Sequence, residues 1–342
     1  MAPSTQPCYK YFLGIDVSKD TIDCLLRPSE TYSQQANRDE GFGRLHHWLG
    51  NHHCSRQHTL ICIEDTGIYS DRLLAGLTSR GWKCAVVKTT ATQKVAPEHH
   101  RKDDRFDAGL LAEYAQRYSD RITLTNPPKE AVKQLQQLYA ERQRLIKARG
   151  ATQNRKQQAA YALVPSPLLA RQWTQQLQLY SQQVETLEDH MRELVSSHPG
   201  LHAYYQSLRT IPGVGEVTAW LWLMLFYGED HLNYKQIASR FGFAPHRHTS
   251  GSSVRGKTRS SGHGNSQMRS CMTMVARSVS HHYERFARYK KRKLDEGKPW
   301  PVVRNNLINK MIKIICAIWN SGRPYQKNYE SRFDRQKKSF NT

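Results

Sequence analysis

The chain has 342 residues, with 51 Lys and Arg against 29 Asp and Glu, a net charge of +22, and 38% hydrophobic residues. That length accommodates two or three compact units, and the apolar content excludes a disordered chain. So large a basic surplus points to a polyanionic partner, nucleic acid first, and no stretch approaches the roughly 18 apolar residues of a membrane span.

The first elements lie in residues 9–28, which read as an apolar strand ending at Asp16, a turn at Val17 to Asp20, and a second strand from Thr21 to Leu26. Gly41 to Leu49 has helical spacing of Phe42, Leu45, Trp48 and Leu49, and the next apolar run, His58 to Glu64, ends in a carboxylate before the turn Asp65-Thr66-Gly67. Ser70 to Ser79 is helical, Lys83 to Val87 strand-like, and Arg105 to Tyr118 helical with Phe106, Leu110, Leu111 and Tyr114 on one face. Alternating strands and helices predict a mixed α/β layer. Asn126-Pro127-Pro128 ends it.

Glu130 to Ser197 is rich in Gln, Leu, Arg and Glu and is broken at Val164-Pro165-Ser166-Pro167, which predicts two long antiparallel helices. After His198-Pro199-Gly200 comes a helical unit with a Ser/Gly/Arg-rich insertion at Thr249 to Gly264 and a basic tail. Within it, Trp220 to Tyr227 reads as core. The seven cysteines are dispersed and form no CxxC pair, so neither a disulfide framework nor a zinc knuckle is indicated, and a reducing, cytosolic compartment fits. The N-terminus lacks a signal-peptide pattern.

Asp16 and Glu64 each close an apolar strand, and equivalent strand ends lie along one edge of an α/β sheet. Asp104 and Asp107, three apart at a helix start, share a face and can lean toward that edge. Singly, each acid could be a cap or a surface charge. Together they raise one another's pKa unless a hard cation compensates, and with no His or Cys at matching spacing the expected ion is Mg2+, with Mn2+ as the substitute. Asp103, four from Asp107, competes with Asp104 for the third place.

Ile211-Pro212-Gly213-Val214-Gly215 before Glu216 has the pattern of a helix-hairpin-helix turn, with Gly213 and Gly215 exposing backbone N–H groups to a phosphate, or else of an ordinary glycine turn before a core helix. Further along, Ser250 is followed by Ser252, Ser253, Arg255, Lys257 and Arg259, a composition that suits a loop gripping phosphate and leaves open a serine that attacks it. The candidate nucleic-acid contacts are Lys102, Arg105, Gly213, Gly215, Arg247, Arg255, Lys257 and Arg259.

GIDVSK around Asp16, CIEDTG around Glu64, KDDRFDA from Lys102, IPGVGEVTA from Ile211, FGFAP from Phe241 and SGSSVRG from Ser250 follow one another in a single order. In these motifs the chain resembles the DEDD transposases of the one-ten family of insertion sequences, recombinases guided by a bridge RNA. The resemblance runs from Gly14 to about Gly322 and departs from the family at Asp103, where Thr or Asn is usual. It implies a fold of α/β plus α class: a RuvC-like, ribonuclease-H-type domain over 9–127, a coiled-coil helical hairpin over 128–198, a mainly helical transposase domain over 199–325 and a basic tail over 326–342. By motif position it implies Asp16, Glu64, Asp104 and Asp107 as the four catalytic, metal-binding acids and Ser250 as a nucleophile.

The implied reaction is RNA-guided cutting and rejoining of DNA through a covalent phosphoserine. The implied partners are a guide RNA, donor and target duplexes and further copies of the chain, as dimer or tetramer, in the prokaryotic cytosol at the nucleoid. In such enzymes the RuvC-like domain of one subunit meets the serine domain of another. The alternative is a RuvC-like junction nuclease without serine chemistry. A sugar-kinase-like ATPase shares the GID strand, but the charge and the lack of a second glycine-rich nucleotide motif oppose it.

Overall fold

The computed structural model describes residues 8–92, 95, 103–127, 129–246, 249–250, 254–255, 259–260 and 264–327. The chain divides into two compact units, Met1–Lys129 and Glu130–Thr342.

The first unit runs β1 (Tyr11–Val17), β2 (Thr21–Arg27), β3 (Thr31–Ala36), α1 (Asp39–Asn51), β4 (Thr59–Glu64), α2 (Ile68–Thr78), β5 (Lys83–Val87), the short α3 (Thr89–Thr92) and α4 (Asp104–Arg117). The five strands form one mixed sheet in the order β3-β2-β1-β4-β5, antiparallel through β3, β2 and β1 and parallel through β1, β4 and β5. This arrangement is compatible with the ribonuclease-H-type expectation. β3 was not anticipated, because TYSQQA at the sheet edge has no apolar run to betray it.

Strand alternation divides the side chains between two layers. Leu13, Ile15 and Val17, Ile22, Cys24 and Leu26, and Ile61 and Ile63 pack with Phe42, Leu45 and Leu49 of α1 and Leu73, Leu74 and Leu77 of α2. On the opposite face, Phe12, Leu60 and Cys62 meet Leu111 and Ala115 of α4, and Leu25 meets Ala108 and Ala112. α4 can lie this close because of Gly14, where a Cβ would stand 2.0 Å from the Ala108 carbonyl oxygen and 2.3 Å from the Ala112 nitrogen. Backbone atoms cannot swing aside as a side chain can. Gly14→Ala is therefore expected to unseat α4 and to destabilise the unit by about 3 kcal/mol or more, measured as a lowered urea midpoint.

The second unit begins with α5 (Glu130–Ala159) and α6 (Pro167–Ser197) and continues through α7 (Pro199–Arg209), α8 (Glu216–Phe226) and α9 (Tyr234–Arg240). Four two-residue strands follow, β6 (Pro245–His246), β7 (Thr249–Ser250), β8 (Val254–Arg255) and β9 (Arg259–Ser260), and then α10 (Ser266–His282), α11 (Glu284–Asp295) and α12 (Trp300–Ser321). Pro167 opens α6 and the Ser166 hydroxyl caps it, accepting from the Leu169 N–H, so the Ser-Pro pair beyond the end of α5 at Ala159 starts its partner. Arg142 of α5, nearly buried, donates to Glu188 of α6 at 2.7 Å. The core gathers around α8, whose Trp220, Trp222 and Leu223 are fully buried, in keeping with the expected core role of this stretch.

The stretch taken from sequence as a loop carries two antiparallel ribbons, an outer one of β6 with β9 and an inner one of β7 with β8, with Ser250 opposite Val254. All seven cysteines are free. Among the described residues no helix is long and apolar enough to cross a membrane.

Candidate active site: acids on the α4 face of the sheet

Register and alternation bring the acids of the first unit together. Asp16 is the penultimate residue of β1 and, like Phe12 and Gly14, points to the α4 side. Ile15 stands beside Ile63 in the parallel pair, so Glu64, the last residue of β4, follows beside Asp16. Asp107 precedes Ala108, whose carbonyl oxygen lies against Gly14, and the closest approach of helix to strand thus delivers Asp107 to the same place.

The electrostatics of Asp16 reflect this proximity. Burial pushes the Asp16 carboxyl up to about 7, reinforced by its hydrogen bond to Glu64, by the Glu64 charge and by the Asp107 charge, and opposed by the Val17 N–H, which donates to Asp16 Oδ1 at 2.9 Å. A half-buried acid pushed toward its protonated form by burial first, and then by two facing carboxylates, belongs to a set of oxygen donors that a cation would neutralise. The chemistry fits a hard divalent ion. In this conformation Asp16 is hydrogen-bonded to Glu64, and among the described residues no three acids, histidines or cysteines stand in ligating geometry.

The two candidates for the remaining place differ in their engagements. Asp103 is the N-cap of α4, its carboxylate accepting from the Arg105 N–H at 3.3 Å. Asp104 is the first helical residue, exposed, one turn before Asp107.

The structure adds an acid that the sequence reading passed over. Asp23 pairs directly with Asp16 across β1 and β2, on the same face, and is buried at 2% exposure. It accepts hydrogen bonds from the Tyr32 hydroxyl and, at 3.0 Å, from Gln34 Nε2. The Tyr32 phenol is pushed up to about 12, by burial first and then by Asp23, and the Arg105 guanidinium lies 5.4 Å from the Tyr32 ring centroid. This chain of contacts ties the start of α4 to β2 and β3. An acid inside TIDCLLR was the available signal, since a charge within an apolar strand needs a partner. Asp23→Ala is expected to strand its two donors and lower stability by about 1–3 kcal/mol, and Asp23→Asn by less because its amide oxygen still accepts; urea unfolding of both variants measures the difference.

In the second unit Gly213 adopts φ +75°, and a Cβ there would meet Val279 Cγ1 at 2.7 Å, so the glycine turn packs against α10. Gly215 caps α8, and Glu216 in its first turn is bound by Arg192 and by the Tyr205 hydroxyl, which hold its carboxyl below the usual range. Ser250, Arg255 and Arg259 are placed by backbone alone, in the ribbons. Lys102, Arg247 and Lys257 lie outside the described residues. Arg105 stands over Tyr32.

Comparison with known proteins accounts for both halves. Residues 13–165 match the DEDD model of IS110 type, described as a transposase, and residues 205–291 match the model described as the transposase IS116/IS110/IS902 family. The chain belongs to the IS110 family of transposases. It is similar to the pilin gene-inverting proteins of Moraxella lacunata and Moraxella bovis, each 27% identical over 328 residues, 93% of this chain and 98% of the relative. The transposase is thus an enzyme of DNA recombination acting on DNA, and its family implies dependence on a divalent metal.

Proposed function

We propose that this transposase is an RNA-guided DNA recombinase that cuts and rejoins strands through a covalent phosphoserine at Ser250, with Asp16, Glu64, Asp107 and Asp104 holding Mg2+. The observation that carries the reading is a set of converging acids in a chain whose relatives are named for inverting a gene. Inversion requires every cut end to be rejoined, and an ester to the protein preserves the bond energy that hydrolysis would release.

In the step envisaged, Ser250 Oγ attacks the phosphorus of a phosphodiester. The Oγ–P bond forms, the P–O3′ bond breaks, and the proton lost from Oγ is balanced by the one gained at the free 3′ hydroxyl. Attack by another strand's 3′ hydroxyl reverses these changes and releases the serine. A bound divalent ion would supply charge stabilisation to the pentavalent phosphate. Asp16, Glu64 and Asp107 would orient it, and Asp104 would complete the set from the adjacent turn of α4. The acids and Ser250 belong to different units, and in the proposed dimer or tetramer they come from different protomers. Sequence choice would reside in pairing between guide RNA and the two DNAs, with the protein holding backbones through its +22 charge. A cytosolic site at the nucleoid follows from that substrate.

The test is incubation with Mg2+, a candidate guide RNA and end-labelled duplex, followed by denaturing electrophoresis. A protein–DNA adduct that disappears on protease treatment is the expected product. Free cut ends without adduct would establish the nuclease alternative.

A further inference from the structure

The geometry points to a second DNA contact on the C-terminal unit, a basic cleft between α11 and α12 that grips the phosphate backbone of duplex DNA. Arg285, Arg288 and Arg292 project from α11 at helical spacing, and Lys310 and Lys313 face them from α12 across a cleft of about 590 Å³. Its lining holds five cations and no carboxylate, over a floor that includes Phe286 and Ile314. The cations are organised by aromatic rings: Lys310 Nζ lies 4.5 Å from the Tyr289 centroid, Arg292 lies 5.6 Å from the same ring, and Lys313 Nζ lies 5.6 Å from that of Tyr234.

This charge is only partly compensated within the chain. Arg288 reaches Glu284 at 3.5 Å and Arg292 reaches Glu296 at 4.0 Å, but Glu296 is already held by Lys293 at 2.7 Å. Among the described residues Arg285, Lys310 and Lys313 take part in no ion pair. The Lys310 ammonium is lowered from the usual range, by desolvation within the cleft first and then by the neighbouring Arg285, Arg292 and Lys313. Assembling like charges in a cleft is unfavourable unless a polyanion occupies it.

The dimensions suit a nucleic-acid strand. From Arg285 to Arg292 the helix rises about 10 Å, the axial run of about three phosphates of one strand. The cleft continues past Arg285 and Lys313 into a second hollow of about 470 Å³ that Arg323 also lines. Duplex DNA is favoured as the occupant because it is the substrate class of the family. The cleft lies outside the serine loop and the acid cluster, so its role is independent of the phosphoserine chemistry.

The experiment uses the full-length protein, without Mg2+, and measures binding of a labelled duplex as a function of salt. Lys310→Gln with Lys313→Gln is expected to reduce the slope of log affinity against log salt by about 2 and to weaken binding uniformly across unrelated sequences. Lys310→Arg with Lys313→Arg, which keeps the charge, is expected to restore the slope. Thermal midpoints of both variants report that the fold is intact. An unchanged duplex slope in a folded Gln variant overturns the proposal. So does a slope that falls for single-stranded RNA but not for duplex, which would assign the cleft to RNA.

Discussion

Asp16→Asn is expected to abolish strand cleavage, by about 10³-fold or more, while making the metal-free protein more heat-stable at pH 8. The two effects have one cause. Asp16 is half-buried beside Glu64 and Asp107, and its carboxyl is pushed up to about 7 from 3.8 by burial and by those neighbours. Between pH 4 and 7 the folded chain therefore holds a proton that the unfolded chain has lost. Stability contributed by this group is present at low pH and disappears as pH rises through about 7, leaving a low plateau above.

Because the group is half-exposed, solvent screening limits the effect to about 1 kcal/mol, or a shift in midpoint of about 3 °C. Asn carries no charge and removes that penalty. In EDTA, Asp16→Asn should melt above the parent at pH 8 and lose the advantage near pH 4. Mg2+ should raise the midpoint of the parent and do little for the variant, because the cation replaces the proton among the carboxylates. A variant that still cuts DNA, or a midpoint gap insensitive to pH, contradicts the assignment of the acid site.

Ser250→Ala is expected to eliminate the covalent adduct and to reduce cleavage by about 10³-fold or more, with duplex binding and the thermal midpoint unchanged. This variant separates recombinase from nuclease, whereas Asp16→Asn does not. A hydrolytic enzyme needs only the acids and a water, and would keep releasing free ends when Ser250 is an alanine. Ser252→Ala provides the internal comparison. It retains the basic stretch and leaves Ser250 in its strand opposite Val254. Loss of the adduct in Ser250→Ala with retention in Ser252→Ala assigns the nucleophile. The reverse result moves it two residues along, and cutting by both variants favours hydrolysis.

Much of the first unit was legible because its signals are local. β1, β2, β4 and β5 announce themselves as apolar runs of strand length, and α4 as a face of Phe106, Leu110, Leu111 and Tyr114. β3 was not, since an edge strand needs few buried side chains and its pairing with β2 is the work of backbone hydrogen bonds. The ribbons around Ser250 escape a sequence reading for a different reason: each strand is two residues long, too short for any period to show.

The acid site follows the same division. That Asp16 and Glu64 end neighbouring strands could be read from apolar runs and their terminal charges. Asp23 was signalled only as a charge inside an apolar strand, and its place opposite Asp16 depends on antiparallel register across the intervening turn. The rival claims of Asp103 and Asp104 come down to cap chemistry at the start of α4, where the Asp103 carboxylate accepts from the Arg105 N–H.

Residue order alone, then, determined the alternating α/β layer, the long helical hairpin, the basic character and the acids at two strand ends, because hydrophobic period, proline breaks and charge are properties of neighbours along the chain. Tertiary structure decided which distant groups meet. The absence of a side chain at Gly14 lets α4 settle on β1 and carry Asp107 to Asp16, and the packing of α11 beside α12 sets Arg285 and Arg292 across from Lys310 and Lys313. Such meetings depend on register and on how closely two backbones can approach, which no local pattern records.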